Sequence, residues 1–64
     1  VIRVNGAEEA FLGESVEALL QRLSIEPRGI AVAVDGEIVR RSAWVSTLIN
    51  DDCVVEIVTA VAGG

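Results

Sequence analysis

Apolar and polar positions alternate over the first five residues, V-I-R-V-N, with Ile2 and Val4 on one face and Arg3 on the other. A period of two is the mark of a half-buried strand. Asn5-Gly6 follows, and both residues tolerate the positive φ that a two-residue hairpin loop requires, so a return strand is expected around Glu8 to Leu12. The period then changes. In G-E-S-V-E-A-L-L-Q-R-L-S-I, residues Val16, Leu19, Leu20 and Leu23 fall at i, i+3, i+4 and i+7, an apolar stripe along one helix, with Glu17, Gln21 and Arg22 off it. Ser15 is the expected N-cap, accepting from a free backbone N–H. Glu14 and Glu17 lie where the helix dipole favours negative charge.

Pro27 and Gly29 are expected to end the helical region and release the chain into I-A-V-A-V-D-G-E-I-V-R. There a β-branched run from Ile30 meets Asp35-Gly36, a second two-residue hairpin signal, and returns through Ile38 and Val39. Ser42 to Asn50 has no regular period; it reads as a crossover with a short helical turn, anchored by Trp44, Leu48 and Ile49. The stretch C-V-V-E-I-V-T-A-V is the last strand, with Val55 and Ile57 alternating against Val54, Glu56 and Val58. The order is thus β-β-α-β-β-β. In so short a chain the helix is expected across one face of a mixed sheet, with the last strand beside the first. That arrangement is the β-grasp fold of ubiquitin and its relatives, α+β in class, with residues 1–60 as the domain and 61–64 as a C-terminal tail.

Composition narrows what such a domain does. A chain of 64 residues buries only about 60% of the surface it exposes when unfolded, so its core must be compact. Phe11 and Trp44 are the only aromatic residues, which leaves that core to Val, Ile, Leu and Ala. The single cysteine, Cys53, makes no intramolecular disulfide and points to a reducing compartment, the cytoplasm. No apolar run approaches the ~20 residues that span a bilayer, and the first residues do not read as a targeting signal. Ten acidic against five basic residues give a net charge of -5, which disfavours binding to a phosphate backbone. The basic residues are all arginines, Arg3, Arg22, Arg28, Arg40 and Arg41; with neither lysine nor histidine, a self-contained active site would rest on carboxylates or Cys53 alone.

The candidate chemistry therefore has to be weighed residue by residue. Cys53 follows Asp51 and Asp52, whose charges raise a thiol pKa rather than lower it, so a plain strand-end residue is favoured over a nucleophile. Asp35, Glu37, Asp51 and Asp52 lack the spacing of a calcium loop and fit turn chemistry, so no metal site is expected. Arg28, Arg40 and Arg41 read either as solvated strand-end charges or as a small basic patch for an acidic partner. Trp44 is read as a core lid or as an interface anchor. Val58 and Ala60 share a face with Glu56, and that face is less polar than a solvated sheet surface, as a docking site would be. Gly63 and Gly64 are the sharpest signal. A fraying end explains them as well as a functional one does when they are taken alone. The functional case is that a tail without side chains stays flexible, threads a narrow channel and presents a reachable carboxylate.

Two longer stretches tip that balance. R-G-I-A-V-A-V-D-G-E-I-V-R-R-S-A-W (Arg28 to Trp44) and V-E-I-V-T-A-V-A-G-G (Val55 to Gly64) closely resemble the sulfur carrier proteins of thiamin biosynthesis, the ThiS family, over nearly the whole chain. The resemblance implies a carrier acted on by other enzymes, not an enzyme, with no cofactor of its own. By it, an adenylyltransferase of the ubiquitin-activating type uses ATP and magnesium to convert the Gly64 carboxylate to an acyl-adenylate. Sulfur from a cysteine desulfurase or other persulfide donor then replaces AMP. The resulting thiocarboxylate is the sulfur donor for thiazole synthase. Gly63 gives access, and Val58, Ala60, Val61 and Ala62 dock beside the partner's channel.

Four positions depart from the family's pattern: Asp35 stands where Asn is usual, Arg40 where Pro is usual, and Asp52-Cys53 where Gly-Asp is frequent. The same tail also fits a sulfur carrier for molybdopterin synthesis or tRNA thiolation. A ubiquitin-like modifier attached through Gly64 and a β-grasp interaction module without tail chemistry are the readings from other classes.

Overall fold

The computed structural model describes residues 1–59, so Ala60, Val61, Ala62, Gly63 and Gly64 lie outside the described residues. The strands are β1 (Ile2–Val4), β2 (Ala7–Glu9), β3 (Ile30–Val34), β4 (Glu37–Val39) and β5 (Val54–Thr59); α1 spans Val16–Arg22, and a 3-10 turn covers Arg41–Ala43. The sheet order is β2-β1-β5-β3-β4, with β5 parallel to β1 and antiparallel to β3. This is the expected β-grasp arrangement, and both hairpins turn where the glycines stand. Asn5 and Gly6 have φ of 52° and 85°, Asp35 and Gly36 have 51° and 85°. Two successive positive φ values make the turn whose twist matches that of the strands it joins.

One face of the sheet carries Ile2, Val4, Val32 and Val55, and it is covered by Val16, Leu19 and Leu20 of α1, all in one buried cluster. Burying each such side chain stabilises the fold by about 1.5–3 kcal/mol, so a handful of them dominates the stability of a chain this small. The crossover from 41 to 50 closes the cluster with Trp44 and Ile49. Trp44 is 3% exposed and its indole N–H donates to the Val39 carbonyl at 2.9 Å, which settles it as a core lid. The Arg41 guanidinium lies 6.0 Å from the ring centroid, a contact worth only about 0.5–1 kcal/mol at an exposed site, so burial and the indole hydrogen bond fix the ring.

The crossover also completes the helix. Each α-helix begins with four N–H groups that have no partner within it. Here three of them find partners outside the helix ladder: Val16 donates to the Thr47 carbonyl, Glu17 to the Trp44 carbonyl and Ala18 to the Ser15 hydroxyl, and the bond from Leu19 to the Ser15 carbonyl is the first of the helix itself. Ser15 is thus the N-cap, and the segment without sequence periodicity has a definite structural task. No helix among the described residues is long and apolar enough to cross a membrane.

Three expectations need correction. The second strand ends at Glu9 rather than Leu12, because β1 offers only three pairing residues and the Ala10 carbonyl instead accepts from Arg22 at 2.9 Å. The same guanidinium grips the Glu14 carboxylate at 2.6 Å, so Glu14 ties the helix to the loop before it, and its charge partner is a side chain. Leu48 is not an anchor. Its backbone bridges to Ser15, which leaves the side chain 67% exposed while Ile49 is buried. The helix ends at Arg22, before Pro27 exerts any effect: Ser24, at φ 57°, donates to the Gln21 carbonyl and Ile25 to the Leu20 carbonyl. That paired closure normally has glycine at the left-handed position.

Ser24 thus holds a conformation that L-residues other than Asn and Asp rarely adopt, and Asp52, at φ 67°, holds the same conformation with a side chain that tolerates it better. Replacing Ser24 by Gly is expected to raise stability by about 0.5–1 kcal/mol, or a few degrees in Tm, with Asp52→Gly giving a smaller gain. Thermal unfolding of the two variants and of Ser24→Ala, which is expected to be less stable than Ser24→Gly, checks the assignment.

Candidate functional site

The expected site is reached through β5, so what holds β5 determines what it can present. It is the middle strand of the sheet, with β1 on one edge and β3 on the other. The register pairs Arg3 with Val54 and Val4 with Val55 on one side, and Val34 with Val55 through Ile30 with Thr59 on the other. Alternation places Val55 on the core side and Val54, Glu56 and Val58 on the outer side. Ala31 and Ala33 of β3 are level with Val58 and Glu56, and Ile38 of β4 is level with Ala33. The outer face is thus apolar around Val58, which is 58% exposed, with Glu56 and the Arg3–Glu8 pair as its charges. Of the residues expected to dock a partner, Val58 lies on this face; Ala60, Val61 and Ala62 lie outside the described residues, as do Gly63 and Gly64.

Both hairpin loops reach across to the same strand. After β1, the Asn5 backbone N–H donates to the Val55 carbonyl at 2.9 Å. Its side-chain oxygen accepts from the Ile57 N–H at 2.8 Å and its amide nitrogen donates to the Ile57 carbonyl at 3.1 Å. After β3, the Asp35 backbone N–H donates to the Val54 carbonyl at 2.8 Å, and its carboxylate accepts from the Val54 N–H at 2.9 Å. The carboxylate that stands where Asn is usual therefore still has an acceptor's task. In the sequence Asn5 and Asp35 are marked only as turn formers; the signal for more is the topology, which brings both turns alongside the last strand.

Cys53 sits just before β5, 4% exposed, with its thiol 3.5 Å from the Asp35 carboxylate. Burial pushes the thiol above its ordinary value of 9.0, a backbone hydrogen bond at Asn50 opposes this, and the Asp35 and Asp52 carboxylates add to the rise. It is an inert, structural thiol, as the neighbouring acids predict, with Asp35 a contributor that only the fold brings near. Arg28 lies 3.6 Å from the Glu26 carboxylate, and Arg41 leans over Trp44, so two of the three arginines of the possible basic patch are engaged locally. Among the described residues no group of three His, Cys, Asp or Glu side chains is placed to hold a metal ion.

A mixed five-stranded sheet packed on one helix, with its last strand between the first and third, defines a ubiquitin-like β-grasp protein. Within that class this chain belongs to the ThiS family, whose family model matches residues 2–64. The fold is similar to the crystal structure of a thiamine biosynthesis protein (ThiS) from Geobacter metallireducens, with a TM-score of 0.84 and 28% identity over 98% of this chain and 97% of that one. It is also similar to the NMR structure of a thiamine biosynthesis protein from the same organism, with a TM-score of 0.74 and 27% identity over 98% of this chain and 86% of that one. A sequence relative, named thiazole synthase, from Paramagnetospirillum magneticum is 39% identical over 62 residues; these are 95% of this chain but 19% of that protein.

The buried thiol gives a direct check on the site's geometry. Alkylation of Cys53 by iodoacetamide at pH 8 is expected to be about 100-fold slower in the folded chain than in denaturant. Since the folded thiol titrates above the unfolded one, its contribution to stability is complete below pH about 9 and is lost as the pH rises through the folded value. Denaturant unfolding should show that alkaline loss in the wild type and a smaller one in Cys53→Ala.

Proposed function

We propose that this chain is a sulfur carrier of thiamin biosynthesis and that the group it carries is attached at Gly64. The observation that supports it best is the ThiS family match over residues 2–64, which takes in Gly63 and Gly64. On this reading the chain is a substrate for its partners rather than an enzyme, and it acts in the cytoplasm. The residues 61–64 reach into the partner's active site while residues 1–60 form the domain that docks, with Val58, Ala60, Val61 and Ala62 at the channel mouth.

The chemistry follows from the weakness of a carboxylate as an electrophile. The Gly64 carboxylate attacks the α-phosphorus of ATP on a ubiquitin-activating-type adenylyltransferase; pyrophosphate leaves, with magnesium neutralising the phosphate charge. The acyl-adenylate is then attacked by the terminal sulfur of a persulfide carried by a cysteine desulfurase or similar donor, and AMP departs. A second thiol cleaves the remaining S–S bond, is itself oxidised to a disulfide, and frees the thiocarboxylate. Sulfur held in this way is a soft nucleophile that never enters solution as sulfide. Thiazole synthase is the proposed acceptor, because a segment 39% identical to this chain lies within a protein of that name. Joining two modules in one polypeptide raises their effective concentration, which benefits modules that work on each other.

Intact-mass spectrometry tests the proposal on the protein from its native host, and on purified protein given the adenylyltransferase, ATP and a persulfide source. One oxygen replaced by sulfur, with the change absent after deletion of Gly64, is the expected result. An unchanged mass under all these conditions, or conjugates to lysines of other proteins, would contradict it.

A further inference from the structure

The β1 ladder ends at Val4, because Asn5 at φ 52° turns the backbone away into Gly6. The next rung of β5 on that edge is Ile57, seven residues before Gly64, whose N–H and C=O point toward a strand that is no longer there. The Asn5 side chain takes that place. A carboxamide has the donor and acceptor of a peptide group, and it meets both polar atoms of Ile57, at 2.8 and 3.1 Å, across a sequence separation of 52 residues. We infer that Asn5 is a positioning residue for delivery of the C-terminal segment: its side-chain amide extends the β1 ladder one rung and holds the β1 edge of β5 at Ile57. The consequence for delivery rests on the carrier reading above; the extra rung does not.

The alternative is that Asn5 is present only because its turn needs a residue tolerant of positive φ. The second hairpin argues against this. Asp35 occupies the corresponding position at φ 51°, so the turn itself does not require an amide. Asp35 also has a different task, because its carboxylate holds the first N–H of β5 and offers no donor. At Ile57 a donor and an acceptor are both needed, and among the side chains tolerant of that backbone only Asn supplies both. On its other edge Ile57 faces Val32 of β3. With Asn5 in place, β5 is paired on both sides as far as Ile57, and the segment beyond leaves from a fixed point. Without it, that segment leaves from a strand held on one side only.

Asn5→Gly separates the two readings, since glycine keeps the turn and removes the amide, and Asn5→Asp keeps the acceptor alone. Amide hydrogen exchange of the purified chain is the first readout. Ile57 is expected to exchange about tenfold faster in Asn5→Gly relative to Val55, with an increase of only a few-fold in Asn5→Asp. Steady-state adenylation is the second: KM for the carrier should rise about five- to tenfold in Asn5→Gly with kcat within about twofold, the pattern of a lost positioning contribution to binding. Unchanged Ile57 exchange overturns the inference, as does faster exchange with an unchanged KM. If wild-type chain is not adenylated at all, the carrier reading fails, while faster Ile57 exchange in Asn5→Gly still establishes that Asn5 holds this edge of β5.

Discussion

A strand in the middle of a sheet must be paired along both edges, and the strands flanking β5 do not cover it equally. β3 has five residues and matches β5 from Val55 to Thr59, whereas β1 has three and stops level with Val55. The two hairpin turns resolve the mismatch. Asp35 leaves β3 and binds both backbone polar groups of Val54; Asn5 leaves β1 and binds both of Ile57. Each costs little, because Asn and Asp already tolerate the left-handed backbone that a two-residue turn demands. Removing either contact leaves backbone groups of β5 to find water. This bracing satisfies β5 at Val54 on the β3 side and at Ile57 on the β1 side, the two points where its neighbouring strands stop short.

The rest of the chain supplies a platform with few large side chains. Among the described residues ten are buried, only one of them aromatic, so stability rests on aliphatic packing between α1 and one sheet face. Such a core works only if the helix is placed closely. That placement comes from the crossover, whose Thr47 and Trp44 carbonyls receive the first N–H groups of α1, and from Arg22, which pins the loop before the helix through Glu14 and Ala10. A short helix of seven residues has little stability of its own, and here its termini are satisfied at both ends by tertiary contacts or a closed turn.

Much of this was legible in advance, and the misses share a cause. Period two at Ile2 and Val4, period 3.6 at Val16, Leu19 and Leu20, and glycine-marked hairpins are local signals, and local signals located the strands and the helix. The end of the second strand is not marked locally, because it depends on an arginine 12 residues away from Ala10. The periodicity carries the helix on to Pro27, because a serine at a left-handed C-terminal position bears no sequence mark. Leu48 and Ile49 are equally apolar, and only the bridge to Ser15 decides which of them turns inward. The sequence marks Asn5 as a turn former, but its second task involves a residue 52 positions away. The exposure of Val58 on the outer sheet face is legible in its alternation with Val55 and Ile57, while the residues from Ala60 through Gly64 lie outside the described residues.

The one thiol is buried, and that burial pushes it above its ordinary value, away from the reactive thiolate. On the carrier reading proposed above, function rests on the Gly64 main-chain carboxylate, which other enzymes activate. The most direct test is ATP–pyrophosphate exchange catalysed by the adenylyltransferase with this chain as acceptor. The account predicts exchange with the wild type and with Cys53→Ser, and none after deletion of Gly64. Exchange that survives loss of Gly64, or that disappears with the Cys53 thiol, would contradict it.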